Sequence, residues 1–138
     1  MERTLSCTID ADINAIPRIS IALDEAMRVH AFSDEEILDT QLAVEEAVTN
    51  VIVHGYAGTT GQVVITGRTT TELIEVRIED TSPPFNPLSI PEPDITQDIE
   101  DRKIGGLGIF LIRQVMDDIS YRYEDGKNIL LLVKKKSE

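Results

Sequence analysis

Leu42 to Tyr56 reads LAVEEAVTNVIVHGY. A helix turns about 100° per residue, and on that winding Ile37, Val44, Val48, Val51 and Ile52 form one apolar stripe. Glu46 and Asn50 are four residues apart, share roughly the opposite side and are flanked by the small Ala43 and Ala47. A carboxylate and a carboxamide so placed are able to hold a hard cation and orient a nucleophile. An ordinary polar face that meets only water has the same pattern, so the pair alone leaves both readings open.

Working outward, Ser33-Asp34-Glu35-Glu36 fits a capping box, with Ser33 as N-cap and Glu36 reaching back. The central helix is therefore expected from about Asp34 to His54, ended by Gly55 or Gly58. Before it, Thr4 to Ile9 reads as a first, edge strand, and Ala15 to Ala31 as a helix. Pro17 suits that helix's first turn, and Ile19, Leu23, Ala26 and Met27 give it helical spacing. After it, Gln62 to Thr70 and Glu72 to Glu79 read as an antiparallel hairpin. Ile74, Val76 and Ile78 point one way, and Asp80 continues their parity. A carboxylate on the core side needs a partner, either its own turn backbone or a ligand in a cleft.

Thr81 to Ile104 contains five prolines and no secure element, apart from a possible short helix at Thr96 to Arg102. A loop of this length reads as a lid, a binding loop or a disordered segment. Gly105-Gly106-Leu107-Gly108 then opens into a helix whose core face is Phe110, Leu111, Ile112, Val115 and Met116. Glycines at a helix start let backbone N–H groups approach a phosphate, although glycines also simply make turns. The last strands are Ile119 to Tyr123 and Asn128 to Val133, joined through Asp125-Gly126. Lys134 to Lys136 read as a solvated tail. The expected architecture is α+β: two layers, a mixed and mostly antiparallel sheet with helices on one face, in a single domain spanning 1–138.

The 138 residues are 41 % hydrophobic, enough for one core. A net charge of −12 argues against nucleic acid or an anionic membrane as direct partner, and is compatible with a basic protein partner. The single Cys7 makes no internal disulfide and reads as a small core residue. With no signal-peptide pattern and no apolar run of spanning length, the expected location is the cytoplasm.

The ordered series E-x-x-x-N on a helix, Asp at a strand end, and a long loop leading to G-G-x-G resembles the Bergerat ATP-binding fold of the histidine kinase-like ATPases. Within it, VEEAVTNVIVHGY, DTSPPFNP and GGLGIFLIRQVMDDISY resemble the anti-sigma-factor serine/threonine kinases of the RsbW type. The resemblance covers nearly the whole chain. It implies that Asn50 binds the Mg²⁺ that bridges the phosphates of ATP, and that Glu46 is the general base or orienting carboxylate. It also implies that Asp80 accepts from the adenine amino group, and that Gly105, Gly106, Leu107 and Gly108 line the triphosphate. His54, Gly55 and Pro84 belong to the matching ATP-binding segments, and Thr81 to Ile104 becomes an ATP lid. Arg18 matches a position that contacts protein partners. Two departures stand out. Ser82 replaces the glycine of the family's D-x-G, and the basic candidates for the terminal phosphate, Arg102 and Lys103, sit slightly upstream of the usual place.

The resemblance implies a kinase that phosphorylates a small anti-sigma-factor antagonist, sequesters a sigma factor and pairs as a homodimer. The alternative is a non-catalytic, ATP-gated binding module. The ATP-binding part of a sensor histidine kinase fits poorly, because only His30 and His54 exist and no dimerising helical hairpin is present to carry a phospho-acceptor.

Overall fold

In the computed structural model, residues 2–89 and 106–137 are described. They comprise β1 (Arg3–Asp10), α1 (Ile16–Val29), α2 (Asp34–Asn50), β2 (Gln62–Thr69), β3 (Leu73–Asp80), α3 (Gly106–Val115), β4 (Asp118–Glu124) and β5 (Lys127–Lys135). The possible helix at Thr96 to Arg102 and most of the expected lid lie outside the described residues.

The strands form one sheet in the order β1-β2-β3-β5-β4, and all four pairings are antiparallel. The sequence predicts a mixed sheet. Since β5 is antiparallel to both neighbours, β4 does run parallel to β3, but β5 lies between them and removes any parallel pairing. The β4–β5 turn closes through Asp125 and Gly126, both at positive φ (52° and 77°), as a two-residue Asp-Gly hairpin requires.

One face of the sheet carries the core. Ile74, Val76 and Ile78 of β3 are buried beside Val63 and Ile65 of β2 and Leu130 and Leu132 of β5. Helices cover this face with Ile19, Leu23 and Met27 from α1, Val44 and Val48 from α2, and Ile109 and Ile112 from α3. On α3 the buried face is thus Ile109 and Ile112; Phe110 and Leu111, expected in the core, are only partly buried. Ser20 Oγ donates to Glu45 Oε1 at 2.6 Å and Gln41 Nε2 to Ser20 O at 2.9 Å, which fixes α1 against α2.

The capping box forms as expected. Ser33 Oγ accepts from Glu36 N at 3.1 Å, and Glu36 Oε1 accepts from Ser33 N at 2.8 Å. Its other oxygen does something the sequence did not suggest: it accepts from Ser137 N at 2.7 Å and Ser137 Oγ at 3.0 Å. Burial alone would push this carboxyl up, but the hydrogen bonds from Ser137 and Ser33 outweigh it and hold the pKa at about 2.

The lysine tail is correspondingly not a solvated run. Lys134 Nζ donates to Val115 O at 2.7 Å and lies 3.5 Å from Asp39. Lys136 Nζ donates to His30 O at 2.8 Å and sits 5.9 Å from the Phe32 ring centroid. Only Lys135 of the three is exposed. The inward parity of β5 continues past Leu132, so Lys134 and Lys136 turn toward the helices and strap the chain end to the α1–α2 junction.

The central helix also ends differently. Its α-helical part stops at Asn50, and Val51 to Tyr56 continue as a π-turn in which Ala57 N donates to Ile52 O at 3.2 Å. The stop is Ala57 in the left-handed region at φ 51°, followed by Gly58, rather than Gly55. Among the described residues, no helix is long and apolar enough to cross a membrane.

Candidate functional site

The face of α2 opposite its apolar stripe is covered by α3 rather than by water. Ala43, Ala47 and Asn50 are buried, and Asn50 is 6 % exposed. Gly108 makes this approach possible. A Cβ there would lie 3.0 Å from Glu46 Oε2, 3.5 Å from Asn50 Nδ2 and 3.8 Å from Asn50 Oδ1. The backbone of α3 therefore meets the acid and the amide with no side chain between.

Asn50 Nδ2 is fully buried and has no hydrogen-bond partner. An unpaired buried polar group costs about 1–3 kcal/mol, a cost that a ligand able to accept from this N–H would remove. Glu46, half-buried, makes no hydrogen bond among the described residues, while its neighbour Glu45 is engaged by Ser20. The acid and the amide are thus both uncommitted.

Beside Asn50 lies a cavity of about 20 Å³ lined by Gly55, Asp80, Ser82, Phe85, Tyr121 and Asn128, among others. Asp80, 5 % exposed, anchors itself through one oxygen. Asp80 Oδ1 accepts from Ser82 N at 2.9 Å, Ser82 Oγ at 2.5 Å and Asn128 Nδ2 at 3.0 Å. It thus makes the turn hydrogen bond of a strand-end Asp and also borders the cavity; the two roles weighed from sequence are compatible. All its hydrogen bonds among the described residues go to Oδ1, so Oδ2 is uncommitted.

The π-turn decides which residue of His54-Gly55-Tyr56 meets the cavity. A π-turn needs five residues to return to the same face, so Asn50 is followed there by Gly55. A Cβ on Gly55 would come within 2.7 Å of Ser82 Oγ. His54 is turned aside, with its ring centroid 6.4 Å from that of Phe85. The Tyr56 hydroxyl donates to Gln62 O at 2.6 Å and accepts from Thr81 N at 3.1 Å, pinning the chain just past Asp80.

The structure thus brings together Glu46, Asn50, Gly55, Asp80 and Gly108. Gly106 and Leu107 lie on α3 with Gly108. Pro84 is exposed, and it is Phe85 and Pro87 that line the cavity. Arg18 is exposed on α1, away from the cavity lining. Arg102, Lys103 and Gly105 lie outside the described residues.

Sequence reasoning missed Asn128, Tyr121 and Phe85. Asn128 is the Cα partner of Asp80 across the β3–β5 pairing. Its amide donates to Asp80 and to Pro83 O at 3.2 Å, and its Oδ1 accepts from Phe85 N at 3.0 Å and from the Tyr121 hydroxyl. Burial pushes the Tyr121 phenol up, the Phe85 backbone offsets this only in part, and the Asp80 charge adds to it. Tyr121 therefore stays a neutral donor.

The family described as histidine kinase-like ATPase domain matches residues 9–134. The chain is similar to the serine-protein kinase RsbW of Listeria monocytogenes, 34 % identical over 105 residues, covering 72 % of this chain and 67 % of that protein. It is 31 % identical over 125 residues to the serine-protein kinase RsbW of Bacillus cereus, covering 88 % of this chain and 77 % of that protein. Among solved structures, the RsbU and RsbW domains of Rv1364c from Mycobacterium tuberculosis superpose with a TM-score of 0.70 at 19 % identity. That match covers 99 % of this chain and 33 % of the other, and carries the fold alone.

Proposed function

We propose that this chain, which belongs to the histidine kinase-like ATPase domain family and within it to the RsbW-type serine-protein kinases, phosphorylates a small anti-sigma-factor antagonist on a serine or threonine. By membership it is an ATP-using protein kinase; the acceptor, the other partners, Mg²⁺ and the residue roles are our reading. A cytoplasmic setting, a sigma factor held in alternation with the antagonist, and a homodimer complete it.

One observation carries the residue assignment: an amide nitrogen buried without a partner, next to an uncommitted carboxylate, under a helix that presents bare backbone at Gly108. The orphaned N–H donor suits a phosphate oxygen of ATP, and the oxygen of the same carboxamide suits the accompanying Mg²⁺. Among the described residues no group of three or more His, Cys, Asp or Glu is placed to hold a metal. Mg²⁺ keeps waters and takes phosphate oxygens, so a single Asn carboxamide oxygen is a sufficient protein ligand. When bound, the ion neutralises developing charge on the phosphates.

The chain's own part is positioning. Asn50 turns its carboxamide toward the phosphates. Gly108 and the α3 backbone lie against them without a side chain in the way. Glu46 takes the proton from the attacking hydroxyl, or orients that hydroxyl for attack. Asp80 offers Oδ2 to the exocyclic amine of adenine. A cavity of about 20 Å³ holds roughly one water, so base entry parts the walls. Phe85, on the segment after β3, is the large wall residue that no helix or strand holds.

The test is transfer of labelled phosphate from ATP to the cognate antagonist. Glu46→Gln is expected to bind ATP as wild type does and to transfer at a rate reduced by about 10²–10⁴-fold, the range for loss of a positioned base. Tight ATP binding with no transfer by the wild-type protein would favour the gated binding module instead.

A further inference from the structure

We infer that Asn128, with Ser82, sets purine selectivity by fixing the Asp80 carboxylate, and thereby ties base recognition to the backbone of residues 82–85. The inference rests on the reading of Asp80 as the base-recognising residue.

A carboxylate on a strand end rotates about its side-chain bonds and can present either oxygen. Here rotation is removed. Ser82 N, Ser82 Oγ and Asn128 Nδ2 converge on Oδ1 at 2.5–3.0 Å. The Asn128 side chain is itself held from both ends. Its nitrogen donates to Ser82 O at 3.0 Å and Pro83 O at 3.2 Å, while its oxygen accepts from Phe85 N at 3.0 Å and the Tyr121 hydroxyl. All three polar residues are buried: Asp80 5 %, Ser82 3 % and Asn128 5 % exposed. A fully connected buried network of this kind specifies one geometry.

Chemically, the network uses up one acceptor oxygen of Asp80 and leaves the other. A carboxylate oxygen accepts from the amino group of adenine and repels the carbonyl oxygen that guanine carries at the same position. Discrimination therefore depends on Oδ2 staying fixed. A free carboxylate could turn, take a water and tolerate either base. Asn128 is a positioning residue here, because it acts through Asp80. It also joins Asp80 to the backbone at 82–85, where Phe85 forms a wall of the cavity. Movement of Phe85 on base entry is thus felt at Asp80 through a single side chain.

The experiment measures dissociation constants of ATP and GTP for the wild-type chain and for Asn128→Ala, Ser82→Ala and Tyr121→Phe, with circular dichroism melts alongside. Wild type is expected to prefer ATP. Asn128→Ala should lower the ATP-over-GTP ratio by about tenfold, the size of one lost hydrogen bond to a charged group. Ser82→Ala, which removes one oxygen and one donor to the same carboxylate, should lower it by about tenfold as well. Tyr121→Phe removes the hydroxyl that holds Asn128 Oδ1 while leaving every donor to Asp80 in place, and should lower the ratio by less than Asn128→Ala does. Equal loss of affinity for both nucleotides in the Asn128 and Ser82 variants would overturn the inference while leaving ATP binding intact. Failure of the wild-type chain to bind ATP would remove the reading beneath it. Should Asn128→Ala melt below working temperature, the Ser82→Ala ratio decides.

Discussion

At the scale of single residues, contacts at two glycines give the sharpest tests. A Cβ on Gly108 would press on Glu46 Oε2 at 3.0 Å, the movable end of a half-buried side chain. Gly108→Ala is therefore expected to fold with a melting temperature within a few degrees of wild type and to lose at least tenfold in phosphotransfer rate, because about 1 Å of misplacement is costly to catalysis. At Gly55 the obstacle is Ser82 Oγ, 2.7 Å from the new Cβ and held by Asp80. Gly55→Ala should cost about 1–3 kcal/mol as an overpacked buried contact. In a Ser82→Gly background most of that cost should disappear, which a urea double-mutant cycle measures directly. The shared face of Glu46 and Asn50 and the inward parity of Asp80 were legible in helical spacing and strand alternation, while the roles proposed for them came from the family resemblance alone. Asn128 was not legible. Its importance comes from lying opposite Asp80 across β3 and β5, and that pairing joins strands separated by more than forty residues.

At the scale of elements, the ends of α2 carry what propensity did not reveal. Its N-terminus was readable, since Ser33 and Glu36 satisfy each other's backbone. The same Glu36 also holds Ser137, a contact between distant parts of the chain that local sequence does not encode. This carboxyl has its pKa lowered from 4.5 to about 2 on folding. A lowered folded-state pKa means that the stabilisation is complete above the unfolded value, and is lost as pH falls from about 4.5 through about 2. Glu36→Gln should accordingly destabilise the protein at pH 7 by about 1–3 kcal/mol, the range for hydrogen bonds to a charged group. The difference from wild type in urea midpoint should shrink at pH 3. A difference that stays constant from pH 7 to pH 3 would show the strap to be indifferent to charge. At the other end of α2, the sequence pattern from Val51 to Tyr56 is compatible with an ordinary helix. The π-turn is set by the packing of Gly55 on Ser82 and of the Tyr56 hydroxyl on Gln62 and Thr81.

At the scale of the whole molecule, the sheet order puts the strand ends that bear Asp80 and Asn128 in the middle and β1 and β4 at the edges. Amide exchange should be slowest in β2, β3 and β5, which are paired on both sides, and faster along the free sides of β1 and β4, since opening begins where ladders are unpaired. Uniform protection across all five strands would contradict that order. Layering and helix placement followed from periodicity together with capping and turn residues, whereas insertion of β5 between β3 and β4 is a long-range choice that a pattern of alternating residues does not state. On the function proposed above, this scaffold makes Glu46 and Asn50 a phosphotransfer site. The most direct test is single-turnover transfer of the γ-phosphate from ATP–Mg²⁺ to the cognate antagonist, with ATP affinity measured on the same proteins. Wild type is expected to transfer, Asn50→Ala to lose both binding and transfer, and Glu46→Gln to lose transfer while still binding ATP. Transfer by Glu46→Gln at the wild-type rate would rule out Glu46 as the base.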